Sequence, residues 1–244
     1  MTVAQESRGR SGRRRILRAV IAVAVTLLVL VLVAVVFLTS LPSGGDAEAR
    51  VRRQLAVHGT IDRTHPVPVR IADAIIAVED AHFYSNHGID LQGLARAALG
   101  PIRGGGDPGG STVTQQLAKA LYPSSNSGSS AKLQELGLAL KLNERYSKDQ
   151  ILEMYTSVEY FGHGTYGIEA ASRTYFHRPA SDLDWAEASM LAGLLQAPSR
   201  LDPIAHLADA RERQRHVLDR LVATRMLSSA NATLAYAELT TLDR

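Results

Sequence analysis

A mainly helical protein on a single membrane anchor is the fold class this sequence predicts, and three observations predict it. Residues 19–38 contain no charged side chain and read almost wholly as Ala, Val, Leu and Ile. Downstream, apolar residues recur at helical spacing between helix-capping signals. Strand-like patterns are scarce, with only residues 51–61 and 67–71 able to pair. A chain of 244 residues suffices for one anchor and one sizeable domain, not for two large domains with separate cores.

The elements follow in order. Residues 1–18 form a basic tail, in which six arginines against Glu6 give a net charge of +5 and leave −2 for the rest of a chain whose total is +3. Residues 19–41 form the anchor, because at about 1.5 Å per residue an apolar run of this length matches a hydrocarbon core of about 30 Å. The upstream arginines place the N-terminus in the cytoplasm. Ala47-Glu48-Ala49 is similar to a signal-peptide cleavage site, but the apolar run exceeds the about 7–15 residues of a signal-peptide core, so a retained anchor is expected. Residues 42–60 read as a tether, opened by Pro42 and the pair Gly44-Gly45. The domain is expected over residues 61–244.

Within it, Ile71, Ala74, Ile75 and Val78 set an apolar stripe for a helix over 71–80, with Glu79 on its shoulder. Asp90 reads as the N-cap of a helix that ends at Gly100. Thr112 and Gln115 suggest a capping box for a helix through Leu121, stopped by Pro123. A leucine-rich helix follows over 132–145, and Ser147 with Gln150 caps the next. Asp184 and Glu187 cap a helix through Leu195, and residues 208–226 form a long charged amphipathic helix. Residues 103–110 and 123–130 are low-complexity loops.

Charge and composition remove several function classes. A basic balance confined to the tail does not supply the basic stripe that nucleic-acid binding needs on a folded domain. Zero cysteines exclude disulfides, thiolate metal sites and cysteine nucleophiles. His82 and His87 lie five apart without a third ligand nearby, so no metal site is expected there. Serine-hydrolase, Walker-type and dinucleotide patterns are missing from the sequence.

What remains is a set of polar residues with chemistry. Glu79, an acid at the edge of an apolar face, can be half desolvated and so raised toward the pKa of a general base; its alternative is a surface glutamate. Asp80 reads as a carboxylate tying down the next turn. Gly109-Gly110-Ser111-Thr112 opens a helix whose free N–H groups and dipole favour an anion, with Lys119 two turns on. Thr114, Gln115 and Gln116 make that first turn polar. Glu135 shares a helix face with Leu138 and Leu142, and a core ion pair and a second active-site carboxylate are both open for it.

At these residues the chain resembles the peptidoglycan glycosyltransferase family, the domain of bifunctional penicillin-binding proteins and of monofunctional biosynthetic transglycosylases. Glu79, Asp80, Phe83 and Gly88 match the first family motif, and Gly109 to Leu117 the second with Val113 in place of Ile. Lys132 and Glu135 match the third. Ile151, Leu152, Glu153, Tyr155, Phe161, Gly162, Gly164, Gly167 and Ile168 match the fourth, and Arg213, Val217 and Leu218 the fifth. The chain departs from the family at Asn86, where a histidine is usual, and at Ala131, Gln134 and Ser157, which thins the positive charge around the third motif.

The resemblance implies a lysozyme-like, two-lobed helical fold and a hexosyltransferase that inverts the anomeric carbon while polymerising lipid II into β-1,4-linked glycan. Glu79 and Glu135 would be catalytic: Glu79 deprotonates the acceptor 4-hydroxyl, and Glu135 assists the leaving pyrophosphate directly or through a divalent cation such as Mg2+ or Mn2+. Lys119 and the helix start at Ser111, Thr112, Thr114, Gln115 and Gln116 would bind the donor pyrophosphate, with Asp80, Phe83, Gly88, Lys132, Glu153 and Gly162 completing the substrate site. Implied partners are lipid II, nascent lipid-linked glycan, the membrane and transpeptidases, with no nucleic acid. The implied place is the outer face of a bacterial plasma membrane. No transpeptidase domain is expected after the fifth motif. A weakly active homologue that binds substrate or partners, and a hydrolase of the same fold, are the other readings.

Overall fold

The computed structural model describes residues 3–60, 65–90, 92–93 and 110–239. They divide into two units, residues 1–42 and 43–244. The first holds helix α1 (Val3–Ser40). Its stretch Leu17–Ser40 has a mean hydropathy of 3.4 over its most apolar window and no buried residue there. A span of that length and apolarity fits the hydrocarbon core of a bilayer, where side chains need no protein partner.

The regular elements of the second unit's described residues are helices, apart from an isolated bridge between Tyr160 and Tyr166. Its helices are α2 (Ala47–Val57), α3 (Val69–Glu79), α4 (Val113–Leu121), α5 (Ser129–Arg145), α6 (Lys148–Val158), α7 (Ile168–Phe176), α8 (Trp185–Leu194), α9 (Leu207–Ala223) and α10 (Ser229–Glu238), with one 3-10 turn at Ala180–Asp182. Helix α8 is the hub of one group. It buries Ala186 through Leu194, as a helix apolar on all sides must, and packs on α3, α9 and α10. A second group joins α4 to α5 and α6, with α2 against α6. The C-terminal end of α3 reaches α4 through Asp80 and Glu79, and that junction holds the candidate site.

Several expectations are corrected here. Residues 51–57 are not a strand: Ala47, Val51 and Leu55 recur every four residues and are buried, so the segment belongs to a helix. The stretch read as a tether therefore carries a packed helix, tied down by Gln54 Nε2 donating to the Ala120 carbonyl (2.8 Å) and Arg50 to that of Leu121 (3.1 Å). Residues 69–71 of the second suggested strand likewise open α3, which starts directly after Pro68. The capping box at α4 is only half formed. Thr112 accepts from the Gln115 N–H, but the Gln115 side chain is drawn to Lys132 instead. The expected helix from Asp90 to Gly100 and the glycine-rich stretch 103–109 lie largely outside the described residues.

The boxes at α6 (Ser147 with Gln150) and α8 (Asp184 with Glu187) are complete. Because α8 is the hub, Asp184→Ala removes a cap accepting from Glu187 N (2.9 Å) where it matters most. We expect a loss of about 1 kcal/mol, read in a thermal melt as a fall of roughly 2–4 °C.

Candidate active site

Glu79 is the last residue of α3, and Ile71, Ile75 and Ile76, one and two turns before it, are buried. Gln116 of α4 donates from Nε2 to Glu79 Oε2 (2.7 Å), and the Gln116 carbonyl oxygen accepts from the hydroxyl of buried Tyr155 on α6 (3.0 Å). Three helices thus fix one carboxylate. Burial, together with the charges of Glu159 and Glu79, raises the Tyr155 phenol well above its ordinary range. It stays a neutral donor, so Gln116 keeps one orientation and always presents its N–H to Glu79.

Asp80 is buried and belongs to the scaffold. Burial raises its pKa above the ordinary carboxylate value, opposed by hydrogen bonds from Asn86 and the Val113 N–H and by the charge of Lys148. Asn86 Nδ2 donates to both Asp80 oxygens (2.9 and 3.0 Å), while its Oδ1 accepts from the Gly88 N–H (2.9 Å) and Lys148 Nζ (3.0 Å). An amide can donate and accept at once, so Asn86 joins a carboxylate to an ammonium without carrying charge. His87 is exposed and takes no part in this pairing. Lys148 also lies 4.8 Å from the centre of the buried Phe83 ring, a cation–π contact that seats the turn. Thr112 closes the frame by donating to the Gly88 carbonyl (2.6 Å).

The second cluster gathers around Lys132, which donates to Ser111 Oγ (2.8 Å), Gln115 Oε1 (3.3 Å) and Glu135 Oε2 (3.0 Å). Glu135 is 19% exposed and Lys132 39%, so the ion pair is reachable from solvent. Both readings of Glu135 meet in it: a paired acid, and one placed beside a cation on the polar edge of α4. Neighbouring Gln115 and Gln116 point to different clusters, so α4 links Glu79 to Lys132. Lys119, one turn beyond Gln116, is exposed.

Some residues expected on the substrate face are not there. Phe83 and Thr114 have no exposed surface, and Thr112 has 1%; they brace α4 and the turn before it. The first N–H groups of α4 are also partly used internally, Val113 N by Asp80 (3.3 Å) and Gln115 N by Thr112 (3.2 Å). The polar side chains at the positive, N-terminal end of α4 are therefore mainly those of Ser111 and Lys132. Gly162 is buried, and a Cβ there would lie 2.6 Å from the Pro198 carbonyl oxygen, so its role is close packing. Glu153 pairs with His65 (2.8 Å). Ser157 Oγ bonds the Glu153 carbonyl (2.6 Å), and the Gln134 side chain bonds Ser124 and the Tyr122 carbonyl.

Glu159, on the turn after α6, was not singled out by sequence reasoning. Burial and the nearby charge of Glu79, opposed by Lys119, push its pKa up to about 7. Its position four residues after Tyr155 was the one available signal. For a divalent cation, the described residues hold no group of three His, Asp or Glu side chains that could bind one, and one Glu135 oxygen is already held by Lys132. They do not form a cation cage.

A transglycosylase family model matches residues 49–222. Penicillin-binding protein 1A of Mycobacterium tuberculosis is 45% identical over 166 residues, which are 66% of this chain and 20% of that protein. Penicillin-binding protein 1F of Bacillus subtilis is 41% identical over 170 residues, 69% of this chain and 24% of its own length. This chain thus spans about a fifth to a quarter of those curated relatives. The crystal structure of penicillin-binding protein 1A from Haemophilus influenzae aligns with 73% of this chain and 17% of its own, at a TM-score of 0.44 and 22% identity.

Proposed function

From the premise that this chain belongs to the transglycosylase family, we propose that it is a peptidoglycan glycosyltransferase that polymerises lipid II for cell-wall synthesis. The observation that carries the reading is a carboxylate, Glu79, held by Gln116 at one end of a polar helix edge whose other end presents Lys132, Ser111 and Glu135. A base and an anion-binding group held against the same short helix, α4, are what an attacking hydroxyl and a departing pyrophosphate require.

In this mechanism Glu79 takes the proton from the acceptor sugar's 4-hydroxyl as that oxygen attacks the donor's anomeric carbon. The bond from that carbon to the pyrophosphate oxygen breaks, and configuration inverts. Lys119 and Lys132 stabilise the charge growing on the leaving group. Glu135 orients Lys132 through their 3.0 Å ion pair, which refines its part in departure. Asp80, Asn86 and Lys148 hold the turn from Glu79 to α4. The apolar part of α1 anchors the domain where a lipid-linked substrate resides, with the domain on the outer face.

The test is a lipid II polymerisation assay on the purified chain in lipid or detergent, with Glu79→Gln as the control. Glycan above the control level supports the reading, and none defeats it. A second expectation concerns charge. Ala131 lies in the first turn of α5, next to Lys132 and one turn before Glu135. Ala131→Arg adds a charge-assisted contact to the pyrophosphate, worth about 1.5–3 kcal/mol. The kcat/KM for lipid II should rise by roughly tenfold or more; an unchanged value would mean that missing charge does not limit this site.

A further inference from the structure

Helix α4 is nine residues long, and both clusters of the site are bonded to it. Gln115 turns to Lys132 and Gln116 to Glu79, and consecutive residues on a helix point about 100° apart. A small rotation of α4 about its axis therefore moves both clusters at once. Its N-terminal end is held from within the site, by Asp80 and Thr112. Its C-terminal end is held from outside. The last carbonyls of a helix have no partner within it; here Gln54 Nε2 donates to that of Ala120 (2.8 Å) and Arg50 Nη1 to that of Leu121 (3.1 Å). The next residue, Tyr122, is buried, and its hydroxyl donates to Asp46 Oδ1 (2.6 Å). The other Asp46 oxygen accepts from Arg50 Nε (2.8 Å), and the Arg50 guanidinium lies 4.3 Å from the centre of the Tyr122 ring. Asp46, Arg50 and Tyr122 thus close a triangle around the end of α4.

Tyr122 carries the contact on to α5. Its carbonyl accepts from Gln134 Nε2 (3.3 Å), two residues beyond Lys132 and next to Glu135. The chain just before Asp46 is seated at the far end of α5, where the Tyr146 hydroxyl donates to the Gly44 carbonyl (3.1 Å). Asp46 precedes residues 49–222, which the transglycosylase family model matches, and none of the five motifs contains Asp46, Arg50 or Tyr122.

We propose that Asp46 is a positioning residue for the reaction assigned above: through Arg50 and Tyr122 it fixes the rotation of α4, and with it the aim of Gln116 at Glu79 and of Gln115 at Lys132. The inference rests on that reading of Glu79 and Lys132. It gives the segment between α1 and α2 a part in the chemistry beyond fastening the chain. Loss of the triangle loosens the end of α4, so the base and the ammonium lose register together. A residue that only supports the fold has a different signature. Its loss lowers the fraction of active protein and hence the apparent kcat, while the KM of the folded molecules stays.

The experiment uses the full chain with Asp46→Ala, Tyr122→Phe and their combination. Asp46 makes no capping bond to α2, so Asp46→Ala leaves the start of that helix intact; Tyr122→Phe removes the hydroxyl and keeps the ring beside Arg50. Each should raise KM for lipid II by roughly three- to tenfold and lower kcat/KM by roughly ten- to a hundredfold, the scale of a displacement of about 1 Å. The double variant should be no worse than the more severe single one, because both cut the same link. Asp46→Glu, which keeps a carboxylate, should regain most of the loss. Asp184→Ala, which removes a cap of α8 outside both clusters, is the stability control: it should melt lower and leave KM unchanged.

The second readout is independent of turnover. In a chain labelled with 15N glutamine, the side-chain amide signals of Gln115 and Gln116 should shift in Asp46→Ala and in Tyr122→Phe, and stay in Asp184→Ala. If Asp46→Ala does not fold, Tyr122→Phe carries both readouts. A KM within about twofold of the wild type, or glutamine signals that do not move, overturns the proposal. A wild type that makes no glycan overturns the assigned reaction instead, and the glutamine signals alone then decide whether Asp46 sets α4.

Discussion

Replacing Glu79 by glutamine is expected to lower the rate of lipid II polymerisation by about 100- to 10,000-fold, the usual contribution of a positioned general base. The substitution is close to isosteric. Its carbonyl oxygen can still accept from Gln116 Nε2, the 2.7 Å bond that fixes Glu79, so the junction of α3, α4 and α6 keeps its geometry. The loss should therefore appear in kcat with little change in KM, because Lys132 and Lys119, the lysines proposed to hold the donor, stay in place. A thermal melt within about 2 °C of the wild type would show that folding is unaffected, given roughly 2–4 °C per kcal/mol for a domain of this size. A rate within threefold of the wild type would remove Glu79 as the base and leave Glu159 as the carboxylate to examine.

A large stability effect is expected at Gly88. Its φ of +87° is one that side chains rarely adopt, and an added Cβ would lie 2.6 Å from the Ala139 carbonyl oxygen and 3.0 Å from Asn143. Neither obstacle yields easily, since the first is helix backbone in α5. Left-handed strain and overpacking cost about 1–3 kcal/mol each, so Gly88→Ala should lose about 2–6 kcal/mol. The corresponding fall in melting temperature is roughly 5–15 °C. Gly164 provides the comparison: its φ is +73°, yet nothing lies within 4 Å of a Cβ there. Gly164→Ala should cost only the strain, about 1 kcal/mol. Equal losses at the two sites would show that the packing of Gly88 on α5 contributes nothing. Gly88 also carries the carbonyl that Thr112 bonds and the N–H that Asn86 holds, so activity should fall with stability.

The helices were legible because their signals are local. The stripe of Ile71, Ala74 and Ile75, the box of Ser147 with Gln150 and that of Asp184 with Glu187 act within a few residues and survive in the fold. Helix α2 was misread because arginines and a glutamine interrupt its three buried residues, Ala47, Val51 and Leu55, and only packing against α6 shows which face they form. The site was legible in part for the same reason. Glu79, Lys132 and Glu135 announce themselves by residue type and motif, whereas the burial of Phe83, Thr112 and Thr114 depends on what covers them. Asn86 looked like a lost charge; in the fold its amide answers Asp80 and Lys148 together.

By itself, then, the sequence determined an apolar span, a helical domain and the acids and lysines available to it, since periodicity, capping and residue chemistry are properties of short stretches of chain. Only the tertiary structure decided which charges meet. Glu79, Gln116, Tyr155 and Glu159 come from three separated segments, and the strength of a charge interaction depends on distance and burial across helices, neither of which is written in the order of residues.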